Sequence, residues 1–176
     1  GGTAEKGSRR LKGRRAGMRI KCLAAFAAAL LAAGCTQPIK DYSYINLNRL
    51  TGWKGDTQIT LNFEMTDTIN ACQLYIVGEI AIERSIGKEK GYPVNITLVA
   101  PDSTRYTETI TLPLNVSDKD GTSRTSHGVK EIEWPYRKNI YNKIPGKWSM
   151  ILTKAGKDED YSNIIGLGVH CRQEKI

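Results

Sequence analysis

The chain has 176 residues, of which 40% are hydrophobic, 25% are charged and 7% are aromatic. This composition is typical of one globular domain, and it excludes a disordered polyelectrolyte, a collagen-like repeat and a membrane protein with many spans. The formal net charge of +8 is concentrated at the start, because residues 1–34 hold eight of the 26 basic residues but one of the 18 acidic residues. The rest of the chain is nearly neutral, so we expect no nucleic-acid partner.

The first 34 residues divide into a basic segment and an apolar segment. Residues 1–17 are rich in Gly and Arg without apolar periodicity, and we interpret them as an unstructured leader upstream of a true start at Met18. After two basic residues, an apolar run extends from Cys22 to Ala33. A helix that spans a bilayer needs about 20 apolar residues, so this run is too short for a span. Residues 18–34 are therefore predicted to be a signal peptide.

Small residues come directly before a cysteine where the apolar run ends, in the order Ala32-Ala33-Gly34-Cys35. This order resembles the lipobox of bacterial lipoproteins, in which a peptidase cuts before the cysteine and the thiol carries a diacylglycerol. We predict lipid attachment at Cys35 and stable anchoring to a membrane through more than one acyl chain. The alternative is an ordinary secretory signal followed by a chance cysteine. Residues 36–41 hold a single acidic residue, which favours the periplasmic side of the outer membrane over export to the cell surface.

The remaining sequence predicts a tether and one domain made of strands. We expect a lipidated tether over residues 35–48, with a first short strand near Tyr42–Leu47, and a β-sandwich domain over residues 49–176. Apolar and polar side chains alternate clearly over Ile59–Met65, as in a strand with one buried face. Further strands are predicted over residues 72–84, 94–100, 105–112, 129–134, 147–153 and 163–172.

These segments predict an all-β fold. Turns rich in Gly, Pro and Asp separate the strands, and no window of about a dozen residues has helical periodicity. We predict an antiparallel β-sandwich with a jelly-roll or immunoglobulin-like architecture. Gly78 interrupts one alternating segment and is expected to mark a bulge or a bend.

Two cysteines remain after Cys22 leaves with the signal peptide and Cys35 is acylated. The alternation places Cys72 and Cys171 on inward faces of strands that can be neighbours. In an oxidising compartment the pair can form a disulfide. The alternative is two buried free thiols that act as small hydrophobic side chains.

The sequence carries no catalytic or metal-binding motif. It contains no Gly-x-Ser-x-Gly nucleophile elbow. His127 and His170 stand apart from other residues with ligand spacing. We therefore expect no catalytic residue, no metal and no cofactor, and we predict that the protein is not an enzyme.

Four aromatic residues are candidates for contact with a ligand: Trp53, Tyr92, Trp134 and Tyr136. The last three lie beside prolines at the ends of predicted strands. Rings in such places form sugar-binding platforms on some jelly rolls. The alternative is packing of the rings against proline at the rim of the sandwich.

The order and spacing of these segments resemble the GldH-type gliding-motility lipoproteins of Bacteroidetes. The matching features after the lipobox are Trp53, Phe63, Tyr92-Pro93, Thr107–Leu112, Asp120-Gly121, Gly146-Lys147-Trp148 and Ile164–Val169. The resemblance implies an envelope lipoprotein that supports the gliding machinery and its type IX secretion system, without catalytic residues. We therefore expect a non-catalytic binding or scaffold component, with a carbohydrate-binding module as the alternative.

Overall fold

The computed structural model describes residues 41–84, 90–117, 121–156 and 161–173. The described residues form nine strands and a short 3-10 helix, Ile82–Arg84. The strands are β1 (Tyr42–Asn46), β2 (Ile59–Met65), β3 (Cys72–Ala81), β4 (Tyr92–Val99), β5 (Arg105–Leu112), β6 (Thr122–Ser126), β7 (Val129–Ile140), β8 (Gly146–Lys154) and β9 (Ile164–Gln173).

The strands form two antiparallel sheets that pack as a sandwich, which confirms the predicted all-β fold. One sheet has five strands in the order β1-β9-β3-β7-β6, and the other has four in the order β2-β8-β4-β5. Four antiparallel pairs are nested along the chain: β1 with β9, β2 with β8, β3 with β7 and β4 with β5. Successive pairs alternate between the two sheets. This is the strand order of a jelly roll, to which β6 is added beside β7.

The alternation of the sequence explains which side chains form the core. Along β2, β4 and β8 every second side chain is buried, as expected for strands with one face toward a partner sheet. Three large rings fill the core near the start of β4. Trp53 and Tyr92 each meet Tyr161 edge to face, with ring centroids 5.7 and 5.4 Å apart. This arrangement is favourable for aromatic pairs.

The structure corrects three predictions about the strands. Residues 42–46 form the first strand that was predicted near Tyr42–Leu47, but this strand belongs to the five-stranded sheet, so the domain boundary expected at residue 49 lies too late in the chain. The sequence analysis missed β6, because its five residues are all polar and exposed and show no apolar alternation. β7 extends to Ile140, beyond the predicted end at Trp134.

Gly78 also has a different role from the one expected. The β3–β7 and β3–β9 pairings run through Gly78 without a register shift at that residue. A Cβ atom at this position would lie 2.6 Å from Cζ3 of Trp134. Gly78 therefore makes room for an indole ring from the neighbouring strand, and it is neither a bulge nor a bend.

Cys72 and Cys171 lie on neighbouring strands of the five-stranded sheet. The structure joins them in a disulfide with a Cα–Cα distance of 6.5 Å. Both residues are buried among the core side chains. The bond connects the start of β3 to the end of β9.

Candidate functional site

A cleft opens between the two sheets at the end of the sandwich where β5 and β8 begin and β2 and β7 end. Its volume is about 390 Å³, within the range of small-ligand pockets. The floor is apolar and consists of Met65, Leu74, Leu98, Ile140, Ile144 and Trp148. The rim carries the polar and aromatic groups: Tyr106, Glu108, Tyr136, Arg137, Tyr141, Asn142 and Lys143.

The loop between β7 and β8 forms one wall of the cleft, and two side chains fix its shape. Asn142 is buried, and its Nδ2 donates a hydrogen bond to the carbonyl of Met65 at 2.8 Å. The Oδ1 of Asn142 accepts a hydrogen bond from the N–H of Ile144 at 3.0 Å. The indole N–H of Trp148 donates to the carbonyl of Ile144 at 3.1 Å. Because these groups satisfy each other, the wall is formed before any ligand binds.

Irregular pairing of β7 aims two side chains into the cleft. Tyr75 pairs with Pro135 and Leu74 with Arg137, so one extra residue of β7, Tyr136, lies between the two pairs. Such a bulge re-aims the side chains of the bulged strand. Here both Tyr136 and Arg137 turn toward the four-stranded sheet.

The carboxylate of Glu108 on β5 is the meeting point of these side chains. The hydroxyl of Tyr136 and the guanidinium of Arg137 both donate hydrogen bonds to Oε1 of Glu108. The guanidinium also lies 4.9 Å from the centroid of the Tyr136 ring. Burial, followed by the hydrogen bond to the Glu108 carboxylate, raises the pKa of Tyr136 above its usual range. Tyr136 therefore stays a neutral donor at physiological pH, and the charge of Glu108 is balanced by Arg137.

Of the four aromatic residues predicted to face a ligand, three are core residues. Trp53 and Tyr92 have no exposed surface, and Trp134 is 3% exposed. Their polar atoms are used inside the protein. The indole of Trp53 donates to the carbonyl of Thr57 at 2.7 Å, and that of Trp134 donates to the carbonyl of Pro113 at 2.8 Å. The prediction of a ligand-facing ring is therefore wrong for these three, because they occupy inward positions of the sandwich.

Tyr136 does line the cleft, together with residues that the sequence analysis did not single out. Tyr106 is 52% exposed and Tyr141 is 65% exposed. Tyr106 lies on the core-facing side of β5, where it pairs with buried Leu98. Both rings remain open to solvent at the rim of the cleft. The local sequence pattern does not indicate this exposure, because it depends on how the two sheets pack.

A second polar cluster lies on the outer face of the five-stranded sheet. Glu133 accepts hydrogen bonds from Arg172 at 2.7 and 2.8 Å, and Nδ1 of His170 lies 3.6 Å from the same carboxylate. The His170 ring meets Tyr42 edge to face, and the Arg172 guanidinium lies over Tyr75. These groups partner one another across four strands on an open face.

The described residues contain no group of three or more His, Cys, Asp or Glu side chains placed to hold a metal ion. In the same ranges, no helix has the length and apolar character needed to cross a membrane. Cys35, the predicted site of lipid attachment, lies outside the described residues, as does the predicted signal peptide, residues 18–34.

No protein-family model and no curated protein matches the sequence. A search of solved structures finds similarity to an alpha-L-fucosidase from Vibrio sp. strain EJY3, with 13% sequence identity and a TM-score of 0.37. The match covers 72% of this chain but 22% of the fucosidase.

Proposed function

We propose that this chain is a lipid-anchored lipoprotein of the bacterial envelope that works by binding another envelope protein. In this role it is a non-catalytic component, similar to the accessory lipoproteins of gliding motility and type IX secretion. The observation that carries the binding role is the cleft, whose apolar floor and fixed rim suit a ligand. Glu108 is the one carboxylate among its described lining residues. Two-carboxylate glycoside hydrolysis needs a second one within about 10 Å across the site.

The anchoring role rests on the sequence that ends at Cys35. Six residues separate Cys35 from β1, and an extended chain advances at most about 3.6 Å per residue. An acylated Cys35 therefore keeps the start of β1 within about 25 Å of the membrane. β1 starts at the same end of the sandwich as the cleft, since Tyr42 pairs with His170 near the end of β9. The anchor thus holds the cleft near the membrane surface and raises its effective concentration for partners there.

Mass spectrometry of the N-terminal peptide of the native protein tests the anchor. We expect a chain that begins at acylated Cys35, without residues 18–34. Cys35→Ala should abolish acylation and release the protein from the membrane fraction. Cys22→Ala is the matched control, because Cys22 lies inside the signal peptide and its loss should leave processing unchanged. An unmodified thiol at Cys35, or a chain that retains Met18, would refute the proposal.

A carbohydrate ligand is the second candidate, and the three tyrosine rings at the rim of the cleft favour it. Against it, a sugar in the cleft would place hydroxyl groups on an apolar floor, which is costly without hydrogen-bond partners. Fluorescence separates the two candidates because Trp148 is a lining residue of the cleft, whereas Trp53 and Trp134 are not. Quenching by a polysaccharide that disappears in Trp148→Phe would favour sugar binding. Crosslinking in intact cells to a secretion or gliding component would favour the protein partner.

A further inference from the structure

β5 is a regular edge strand with an unpaired side. It is the last strand of the four-stranded sheet, and its eight residues pair with β4 without a register shift. Its sequence, RYTETITL, is rich in β-branched residues and contains neither Pro nor Gly. Seven of its eight residues are exposed or partly exposed. A long regular edge of this kind presents free N–H and C=O groups to another strand.

The hydrogen-bond pattern shows which groups of β5 point outward. The N–H of Ala155 donates to the carbonyl of Pro93, so the main-chain groups of Pro93 point toward β8 and away from β5. Pro93 pairs with Thr111, and pairs in an antiparallel ladder alternate between bonded and non-bonded. By this alternation the main-chain groups of Thr111, Thr109, Thr107 and Arg105 point away from β4.

The other strand edges are less suited to pairing. β1 and β6 have five residues each, and β2 packs against β1 and β9 of the facing sheet. The second half of β7 contains Pro135 and two register shifts. Proline and bulges are features that protect an edge from a further strand. Among the described strands, β5 is therefore the edge that best accepts one.

The cleft lies beside this edge and defines what an added strand would carry. Tyr106 and Glu108 of β5 form part of its rim, and the floor is apolar. The cleft therefore takes one large apolar side chain. Lys143 at the rim has no ion-pair partner among the described residues, whereas Glu108 is already paired with Arg137. The free charge in the described lining of the cleft is thus positive and complements an acidic segment.

We propose that β5 binds an extended segment of a partner protein as an additional strand, with one large apolar side chain in the cleft and carboxylates flanking it. Main-chain hydrogen bonds supply affinity in this mode of recognition, and the pocket supplies specificity. The inference deepens the proposed function and rests on it for the class of partner, an envelope protein.

Random twelve-residue peptides displayed on phage and selected on the purified acylated protein in detergent provide the probe. We expect the selected peptides to contain an aromatic or large aliphatic residue next to Asp or Glu. Each peptide is also synthesised in two N-methylated copies, one methylated at the odd and one at the even residues, so that one copy loses the N–H groups that face β5 and the other keeps them. We expect about tenfold weaker binding for one of the two copies, in line with losing one or two net hydrogen bonds.

Variants of β5 provide the matching test on the protein. Thr107→Pro removes an N–H that points outward and leaves the pairing with β4 intact, so we expect peptide affinity to fall about tenfold. Thr107→Val is the matched control. It loses the same hydroxyl contact with Thr97, 3.0 Å between oxygens, but keeps the N–H, so its affinity should stay within about twofold. Thr109→Pro gives a second, independent variant, and thermal unfolding shows whether each variant is folded.

Failure of this inference differs from failure of the proposed function. No enriched peptide, or peptides insensitive to N-methylation and to both proline variants, would overturn strand addition at β5. A photo-crosslinking amino acid at position 107, or at position 60 on β2, reports separately on partners in cells. Crosslinks to an envelope protein from position 60 alone would agree with the proposed function but refute strand addition at β5. Peptide binding at β5 without a crosslink to an envelope protein from either position would refute the proposed function but agree with strand addition at β5.

Discussion

The disulfide between Cys72 and Cys171 gives the sharpest prediction about stability. The bond closes a loop between residues 99 positions apart, and in the chain-entropy model a loop of about 100 residues contributes about 4.7 kcal/mol. Domains are typically stable by about 5–15 kcal/mol in total, so reduction should remove a large share. At about 3 °C per kcal/mol for a domain of this size, we expect the midpoint of thermal unfolding to fall by about 15 °C.

Comparison of the oxidised and the reduced wild-type protein by circular dichroism isolates the cross-link. Reduction keeps both sulfur atoms in the core, whereas Cys72→Ala with Cys171→Ala also removes buried volume. The double variant is the control for the reductant, which should leave its unfolding midpoint unchanged. The reasoning is refuted if the oxidised and reduced proteins unfold at the same temperature. It is also refuted if thiol titration of protein from the envelope finds both cysteines free.

Three further predictions concern the core and the cleft. Gly78→Ala should lower the free energy of unfolding by about 1–3 kcal/mol through overpacking against Trp134, and a double-mutant cycle in urea with Trp134→Leu should recover part of that loss. Asn142→Ala should cost about 1–3 kcal/mol in urea unfolding, because it leaves two main-chain groups of the cleft wall unpaired; an unchanged urea midpoint would contradict the assigned role. Tyr136 should remain protonated above about pH 10, where exposed tyrosines ionise, so its contribution to stability is complete below that pH and declines above it. The pKa values of Tyr42, Tyr44 and Tyr92 are also raised, so the ultraviolet titration of tyrosinate is compared between the wild type and Glu108→Gln. One fewer tyrosine should ionise late in the variant, and identical titration curves would contradict this.

The sequence predicts those strands whose apolar side chains alternate. The predicted bounds of β2 and β5 agree with the structure, because in β2 the side chains enter the core at every second position and in β5 clear turn signals flank the strand. β6 escapes prediction because it is held by main-chain pairing with β7 and buries no side chain. Gly78 was misinterpreted for a related reason. Glycine is needed at position 78 because an indole ring from a strand more than 50 residues away in the sequence occupies the space of a side chain. A local sequence pattern carries no information about that neighbour.

The cleft could be predicted less well than the fold. Tyr136 was singled out for its place beside proline near the end of a strand, but the three rings chosen with it belong to the core. The bulge in β7 turns Tyr136 toward the four-stranded sheet, and this bulge depends on the pairing between β3 and β7. Arg137 and Glu108 meet across the two sheets although 29 residues separate them. Such a pair can be predicted only when the register of the strands in both sheets is known.

The position of the cleft links the proposed anchor to the proposed partner. β5 begins at the same end of the sandwich as β1, so the start of β1 and the start of the edge offered to a partner strand lie at one end of the domain. In the proposed anchored form, the six residues between Cys35 and β1 would restrict how far that end can move from the membrane. A partner segment that emerges from the same membrane therefore meets β5 at high effective concentration, and even a weak strand addition can be occupied there. Strand pairing with one anchoring side chain is well suited to this setting, because specificity then needs only the pocket and the charges around it.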